Sequence, residues 1–554
     1  MPMLPSVQRG VGRTWMVVVL VVSLAALAAV GAAGAAAAQK RPQRQADVTT
    51  KCLITMLCTP GSSDVSWPTA QGNVMGQRYS PLTQINRSNV KGLRVAWTFS
   101  TKVLGTETYP VIVGDRAYVT TSYGNVYAVN AATGQKLWSF DATPSNKGLA
   151  GYAGVHGFPN RGVAVGDGKV FVLTANALLV ALDENTGRVL YEKGLGDPRW
   201  LTESAPAFYY KGIVFVGSAG AESGQRGFEA AYSARTGKQL WRHYNVPPYG
   251  QGWMTQHHGG GTVWMNPTID PKTDRVFIGT ANPAPDFYGN DRPGPNKWTD
   301  SILALNMKTG KMIWGFQETA HDLWDWDQAA PPTLFPTKYG LTVGGASKSG
   351  YWYEVSAATG EQVTAPSPFL KIDHPALLKV GDEVTYWPGP TGGWGPVPYS
   401  PQTHSVFVAG SNLPIRLRLL KQKQYTSGDD FLNGVKLLPS GVKTTGVLYS
   451  FDVESGARLW KKDFPVAVPG GTTATAGGLV FVGIGGTGRF QAYDAKTGKL
   501  LWQHKFNQRI DNAASVYSVN GKEYVLIGLG GTSIVTSYGG YGVSPATFVA
   551  FALP

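Results

Sequence analysis

From about residue 65 onward the chain is a succession of short apolar runs separated by polar turns. Val126–Tyr127–Ala128–Val129 and Leu479–Val480–Phe481–Val482 are typical. Many of these runs lead into one signature: Asp, Asn or Ser, two variable residues, Thr or Ser, then Gly. It occurs seven times, as Asn130 to Gly134, Asp183 to Gly187, Ser233 to Gly237, Asn306 to Gly310, Ser356 to Gly360, Asp452 to Gly456 and Asp494 to Gly498. All copies except that of Ser356 are followed by an aromatic: Trp138, Tyr191, Trp241, Trp314, Trp460 or Trp502. An apolar run, a turn capped by an Asx or Ser oxygen, a Gly able to take positive φ, then a second run reads as strand–turn–strand. A further short strand precedes most turns, as in Gly114–Asp115–Arg116–Ala117–Tyr118–Val119. No convincing amphipathic helix separates the units.

Repetition of such units is the mark of a β-propeller. The interval between signature glycines runs from 42 residues (Gly456 to Gly498) to 96 (Gly360 to Gly456). A four-stranded blade takes roughly 40–50 residues, so the long intervals hold insertions or a blade without the signature. The fold class is all-β, an eight-bladed propeller, with seven blades as the fallback count. Val95–Ala96–Trp97–Thr98–Phe99 is expected to pair with Thr547–Phe548–Val549–Ala550–Phe551 and close the ring. The signature aromatics are assigned to packing between neighbouring blades, not to chemistry.

Composition agrees with a large all-β domain: 554 residues, only 15% charged, with 70 Gly and 17 Trp. The uncharged stretch from Trp15 to Ala38 follows Arg9 and Arg13. Residues 1–38 read as a secretory signal cleaved near Ala38, or as a retained membrane anchor. Residues 39–64 form a linker and 65–554 a single propeller domain. Export would place the protein in the periplasm, outside the cell, or on the outer face of the membrane. The two cysteines, Cys52 and Cys58, could then close a small disulfide loop. No Cys-x-x-Cys-His occurs, which excludes a covalently attached c-type haem and sends any electrons to a separate carrier. The net charge of +14 is scattered without a dense run, arguing against nucleic acid and for anionic ligands or acidic partners.

Five separated motifs carry a resemblance. They are Ser80–Pro81–Leu82–Thr83–Gln84–Ile85–Asn86, Gly220–Ala221–Glu222 with Gly224–Gln225–Arg226–Gly227, Gly259–Gly260–Gly261–Thr262–Val263–Trp264, Gly279–Thr280–Ala281–Asn282–Pro283, and His321–Asp322–Leu323–Trp324–Asp325–Trp326–Asp327, beside the blade signatures. From Trp67 to Phe551 the chain resembles the alcohol dehydrogenases that depend on pyrroloquinoline quinone (PQQ). The resemblance implies PQQ and Ca2+ as cofactors. It implies Trp264 as the floor beneath the quinone, with Glu107, Arg161, Ala221, Thr262 and Lys348 as further cofactor contacts. Lys348 would also act on the reactive quinone oxygen, and Glu222 and Asn282 would hold the metal.

One position departs from the pattern. After Arg292–Pro293–Gly294 the family carries an Asp that takes the substrate hydroxyl proton, and here that slot is Pro295. Asp291 and Asp300 are the nearby carboxylates that could substitute. A positioned base contributes about 10²–10⁴ in rate, so restoring Asp at position 295 is expected to raise turnover at least tenfold. The family's adjacent cysteine pair falls here at Val155–His156. Gly392–Gly393 is followed by Trp394–Gly395–Pro396 without the usual Asn, and Pro469–Gly470–Gly471 lacks the expected Trp.

The leading expectation is an exported quinoprotein oxidoreductase acting on a small or polymeric alcohol and passing electrons to a separate acceptor such as a cytochrome. The alternatives are a propeller that binds PQQ or another ligand without turnover, and an envelope scaffold.

Overall fold

The computed structural model describes residues 63–142, 159–198, 201–254, 258–328, 330–376, 379–390, 392–420, 432, 434–437, 442–532 and 540–554. The N-terminal segment, Cys52, Cys58 and Val155–His156 lie outside the described residues. Eight units of four antiparallel strands follow one another as the blades of a propeller, the seventh extended by Tyr79–Ser80, which pairs parallel with Thr472–Thr475. Blades 1 to 7 span 111–140, 164–194, 208–244, 268–317, 333–368, 399–464 and 472–505. Blade 8 is Ser515–Val519, Lys522–Leu529 and Pro545–Ala552, completed by Arg94–Leu104 from the other end of the domain. There Val95 pairs with Phe551 and Phe99 with Phe548, so the ring closes as the sequence predicts.

The signature explains how neighbouring blades lock. In blade 1 the Asn130 side-chain oxygen accepts from the amides of Ala132 and Thr133, and Gly134 takes φ 73°. A Cβ on Gly134 would lie 2.6 Å from the Trp97 ring of blade 8. The same holds for Gly187 under Trp138, Gly310 under Trp241, Gly360 under Trp314 and Gly498 under Trp460. Each indole also donates to a carbonyl in the turn it covers, as Trp241 does to Met307 O at 2.8 Å. Where the Ser356 copy lacks an aromatic, Ser367 Oγ reaches Gly456 O instead, at 2.9 Å. Between the blades the core is apolar: Val111, Tyr118 and Val126 of blade 1 pack with Val170, Val172 and Val180 of blade 2.

The long intervals in the repeat hold insertions. A three-stranded sheet of Glu383–Tyr386, Ile415–Leu419 and Gly434–Leu437 stands apart from the blades. Its Tyr386 joins Trp324, Trp326 and Trp394 in one aromatic cluster. Among the described residues no helix is long and apolar enough to cross a membrane.

Candidate functional site

Antiparallel order fixes which loops meet. In each blade the segment leading into the first strand and the loop between strands two and three lie at one end, and the signature turn lies at the other. The lead-in segments supply Arg161 (blade 2), Glu203 (blade 3), Thr262 and Trp264 (blade 4), Asp327 (blade 5) and Trp394 (blade 6). The second-to-third strand loops supply Ala221 and Glu222, Asn282, and Lys348 from blades 3, 4 and 5. All of these residues line one cavity. It therefore contains Arg161, Ala221, Glu222, Thr262, Trp264, Asn282 and Lys348, seven of the residues expected from the sequence.

Glycines let the backbone bring three of the motifs together. Gly227 N donates to Gly260 O at 2.8 Å, Gly261 N to Asn282 O at 2.9 Å and Ala281 N to Thr262 O at 2.8 Å. A Cβ on Gly260 would fall 2.3 Å from Asn282 O, and one on Gly227 would fall 2.0 Å from Gly261 O. Only glycine permits so close a backbone approach. Gly220 and Gly224, both left-handed, flank the single 3-10 turn Ala221–Ser223 that carries Glu222.

Trp264 presents a half-buried ring with Trp394 edge-on at 5.7 Å. The Arg161 guanidinium carbon is 4.7 Å from that ring's centre and Lys348 Nζ is 5.6 Å from it. Arg161 is held by Glu107 Oε2 at 2.8 Å and Ser204 Oγ at 2.8 Å. Glu107, expected as a direct cofactor contact, is not part of the cavity lining. It is buried behind Arg161, and its other oxygen accepts from Thr532 Oγ1.

Asp327, which sequence reasoning did not single out, organises this wall. Its Oδ2 accepts from Lys348 Nζ at 2.7 Å and from Trp264 Nε1 at 2.9 Å, while Oδ1 accepts from Asn282 N at 2.8 Å. Asp325 Oδ1 takes a second bond from Lys348 Nζ at 2.9 Å. Burial pulls the Lys348 ammonium down, but the charges of Asp325 and Asp327 together outweigh it and hold it above the ordinary lysine range. Burial likewise raises the Asp327 carboxyl, opposed by Lys348. The alternation of Asp with Trp in residues 322–327 was the available signal. Trp326 donates from its backbone to Asp322, which turns the acidic side chains of 325 and 327 toward Lys348.

The candidate bases are elsewhere. Pro295 is exposed, and its carbonyl accepts from His321 N at 3.1 Å and Gln317 Nε2 at 2.7 Å. Asp300 is fully buried behind the lining, its amide bonded to Ala281 O at 3.1 Å, and burial holds its carboxyl well above the usual range. Asp291 is half-buried and also outside the lining.

The donor set suits a flat, anionic, oxygen-rich ligand. Two cations border an indole face, and the buried Thr262 Oγ1 in the lining has no hydrogen-bond partner among the described residues. Glu222 and Asn282 offer hard oxygens. Among the described residues no cluster of three or more His, Cys, Asp or Glu forms a cage for a metal, and an oxygen-rich ligand could add donors to these two.

Fold and cavity together define a propeller oxidoreductase of the quinoprotein type. Residues 67–366 match the PQQ family described as the glucose/ethanol/alcohol dehydrogenase beta-propeller domain, and 444–542 match the family described by outer membrane protein assembly factor BamB. The quinohemoprotein alcohol dehydrogenase of Comamonas testosteroni is 31% identical over 521 residues, covering 84% of this chain and 72% of that protein. The quinoprotein alcohol dehydrogenase PedH of Pseudomonas putida is 29% identical, covering 84% and 86%. Among solved structures, the Comamonas enzyme superposes with a TM-score of 0.81 at 28% identity over 88% of this chain and 80% of that one. A europium-containing methanol dehydrogenase superposes with a TM-score of 0.80 at 27% identity, over 88% and 98%. The chain belongs to the family of PQQ-dependent alcohol dehydrogenases.

Proposed function

We propose that this protein is an exported oxidoreductase that oxidises an alcohol or related hydroxyl compound with PQQ and Ca2+, and delivers the electrons to a separate acceptor such as a cytochrome. The observation that supports this most is the convergence of Arg161, Glu222, Thr262, Trp264, Asn282 and Lys348 on one cavity. The bound quinone supplies a hydride-accepting carbon, made more electrophilic by the metal acting as a Lewis acid. Trp264 offers an indole face for ring stacking. Arg161, fixed by Glu107 and Ser204, offers its remaining donors to a carboxylate, for which a guanidinium fork is suited. Lys348 keeps its proton because two carboxylates hold it, so it can donate to a quinone oxygen that gains charge. Glu222 and Asn282 would hold the calcium.

A second reading, cofactor binding without turnover, is favoured by one observation. Neither Pro295, Asp291 nor Asp300 lines the cavity, and Asp327 already serves three donors. Purified protein incubated with PQQ and calcium, followed by dye reduction with primary, secondary and polymeric alcohols, separates the two. Turnover supports the dehydrogenase. Stoichiometric PQQ without dye reduction supports the binding protein. Failure to retain PQQ contradicts both and leaves the scaffold.

A further inference from the structure

We propose that Glu203 is an additional cofactor contact, a neutral carboxyl that donates a hydrogen bond to a carboxylate of the bound quinone from the wall it shares with Arg161. This rests on the cofactor reading above. Glu203 lines the cavity, is 2% exposed, and neither of its oxygens has a hydrogen-bond partner among the described residues. Thr202 bridges to Ala219 at the foot of the turn carrying Glu222, and Ser204 Oγ accepts from Arg161 at 2.8 Å. Arg161 meets Glu107 Oε2 through one nitrogen at 2.8 Å and Ser204 Oγ through another, and it donates to neither Glu203 oxygen.

The surrounding charges decide the protonation state. Arg161, Lys348, Glu222 and Asp327 share the cavity, and Arg242 and Glu229 act from blade 3. Burial holds the Glu203 carboxyl well above the usual carboxylate range; Arg242 opposes this and Glu229 adds to it. An ionised carboxylate buried without donors carries a large desolvation cost, whereas a protonated one needs only an acceptor for its O–H. A ligand carboxylate beside Arg161 is that acceptor, and an O–H donor to an anion makes one of the stronger hydrogen bonds. A carboxyl that keeps its proton cannot accept one from the substrate, so Glu203 is not the replacement for the missing base.

The test is an equilibrium titration of apo-protein with PQQ in excess calcium, read by quenching of tryptophan fluorescence, with a thermal melt of each apo-protein. Glu203→Gln keeps a donor and the side-chain volume and is expected to bind within threefold of wild type. Glu203→Ala and the volume-matched Glu203→Met lack the donor and are expected to bind at least tenfold more weakly, with apo melting unchanged. Equal binding by the Ala or Met variants would overturn the inference, and tighter binding would mark an ionised, repelling carboxylate. Absence of PQQ binding by wild type would remove the cofactor reading and this inference with it. Wild-type binding with indifferent variants removes this inference alone.

Discussion

Lys348 Nζ lies 2.7 Å from Asp327 Oδ2 with both side chains buried, and the same oxygen accepts from Trp264 Nε1 at 2.9 Å. One carboxylate thus sets the orientation of both the ammonium and the indole. Asp327→Asn removes the charge and one acceptor site. Breaking one partner of a buried pair costs roughly 3–5 kcal/mol, and the lower end applies because Asp325 stays at 2.9 Å from Lys348. The variant is expected to lose at least tenfold in PQQ affinity and to unfold at lower denaturant. Unchanged affinity in a folded variant would show that Asp327 does not position the site.

Pro295 stands where the family resemblance places an acid. From the motif alone Pro295→Asp should raise turnover tenfold or more. Pro295 is exposed, and Gly294 beside it faces open space. A carboxylate there would be solvated and outside the cavity. The expected change in dye-linked turnover is therefore less than threefold. A tenfold rise would mean that the 291–297 loop closes over the cavity when cofactor and substrate are bound.

The blades were legible because the signature glycine answers two local demands at once, a positive φ and the flat approach of an indole from the next blade. Gly310→Ala tests both, since φ is +66° and the new Cβ would lie 2.5 Å from the Trp241 ring. The left-handed backbone and the overpacking together are expected to cost about 2–4 kcal/mol. Gly168→Ala has a similar φ of +69° with nothing within 4 Å, and should cost only about 1 kcal/mol. Equal guanidinium midpoints for the two variants would contradict this account of blade locking.

The site was legible in part. Trp264, Glu222 and Asn282 sit inside glycine-rich motifs whose backbones must approach closely, and such motifs can be read along the chain. Glu203, Asp327 and Trp394 come from separate lead-in segments, and only closure of the ring brings them to one cavity. Glu107 reads as a contact from its motif, yet its carboxylate is turned to Arg161 behind the lining, a placement that depends on side-chain geometry.

Glu354 supplies a pH test of the fold. It is fully buried and accepts from Trp352 Nε1 and Thr364 Oγ1, both at 2.8 Å. Burial nevertheless pushes its carboxyl up to about 7, against those hydrogen bonds. The native state therefore keeps a proton that the unfolded chain releases near about 4.3. The associated stability is complete below that value and is lost as pH rises to about 7. Glu354→Gln cannot ionise, so its fall in stability between pH 5 and pH 8 is expected to be smaller than wild type's by about 1–3 kcal/mol. Glu523, pushed up to about 7, and Asp322, to about 6, titrate in the same direction in both proteins and cancel in the comparison. Parallel curves would contradict the assignment.

A quinone stacked on Trp264 between Arg161 and Lys348 is tested by the stoichiometry of PQQ bound to wild type and to Trp264→Ala in the presence of calcium. One PQQ per wild-type chain, with at least a hundredfold weaker binding by the alanine variant, is the expected result. Stoichiometric binding undiminished in a folded Trp264→Ala protein would place the cofactor elsewhere and contradict the account.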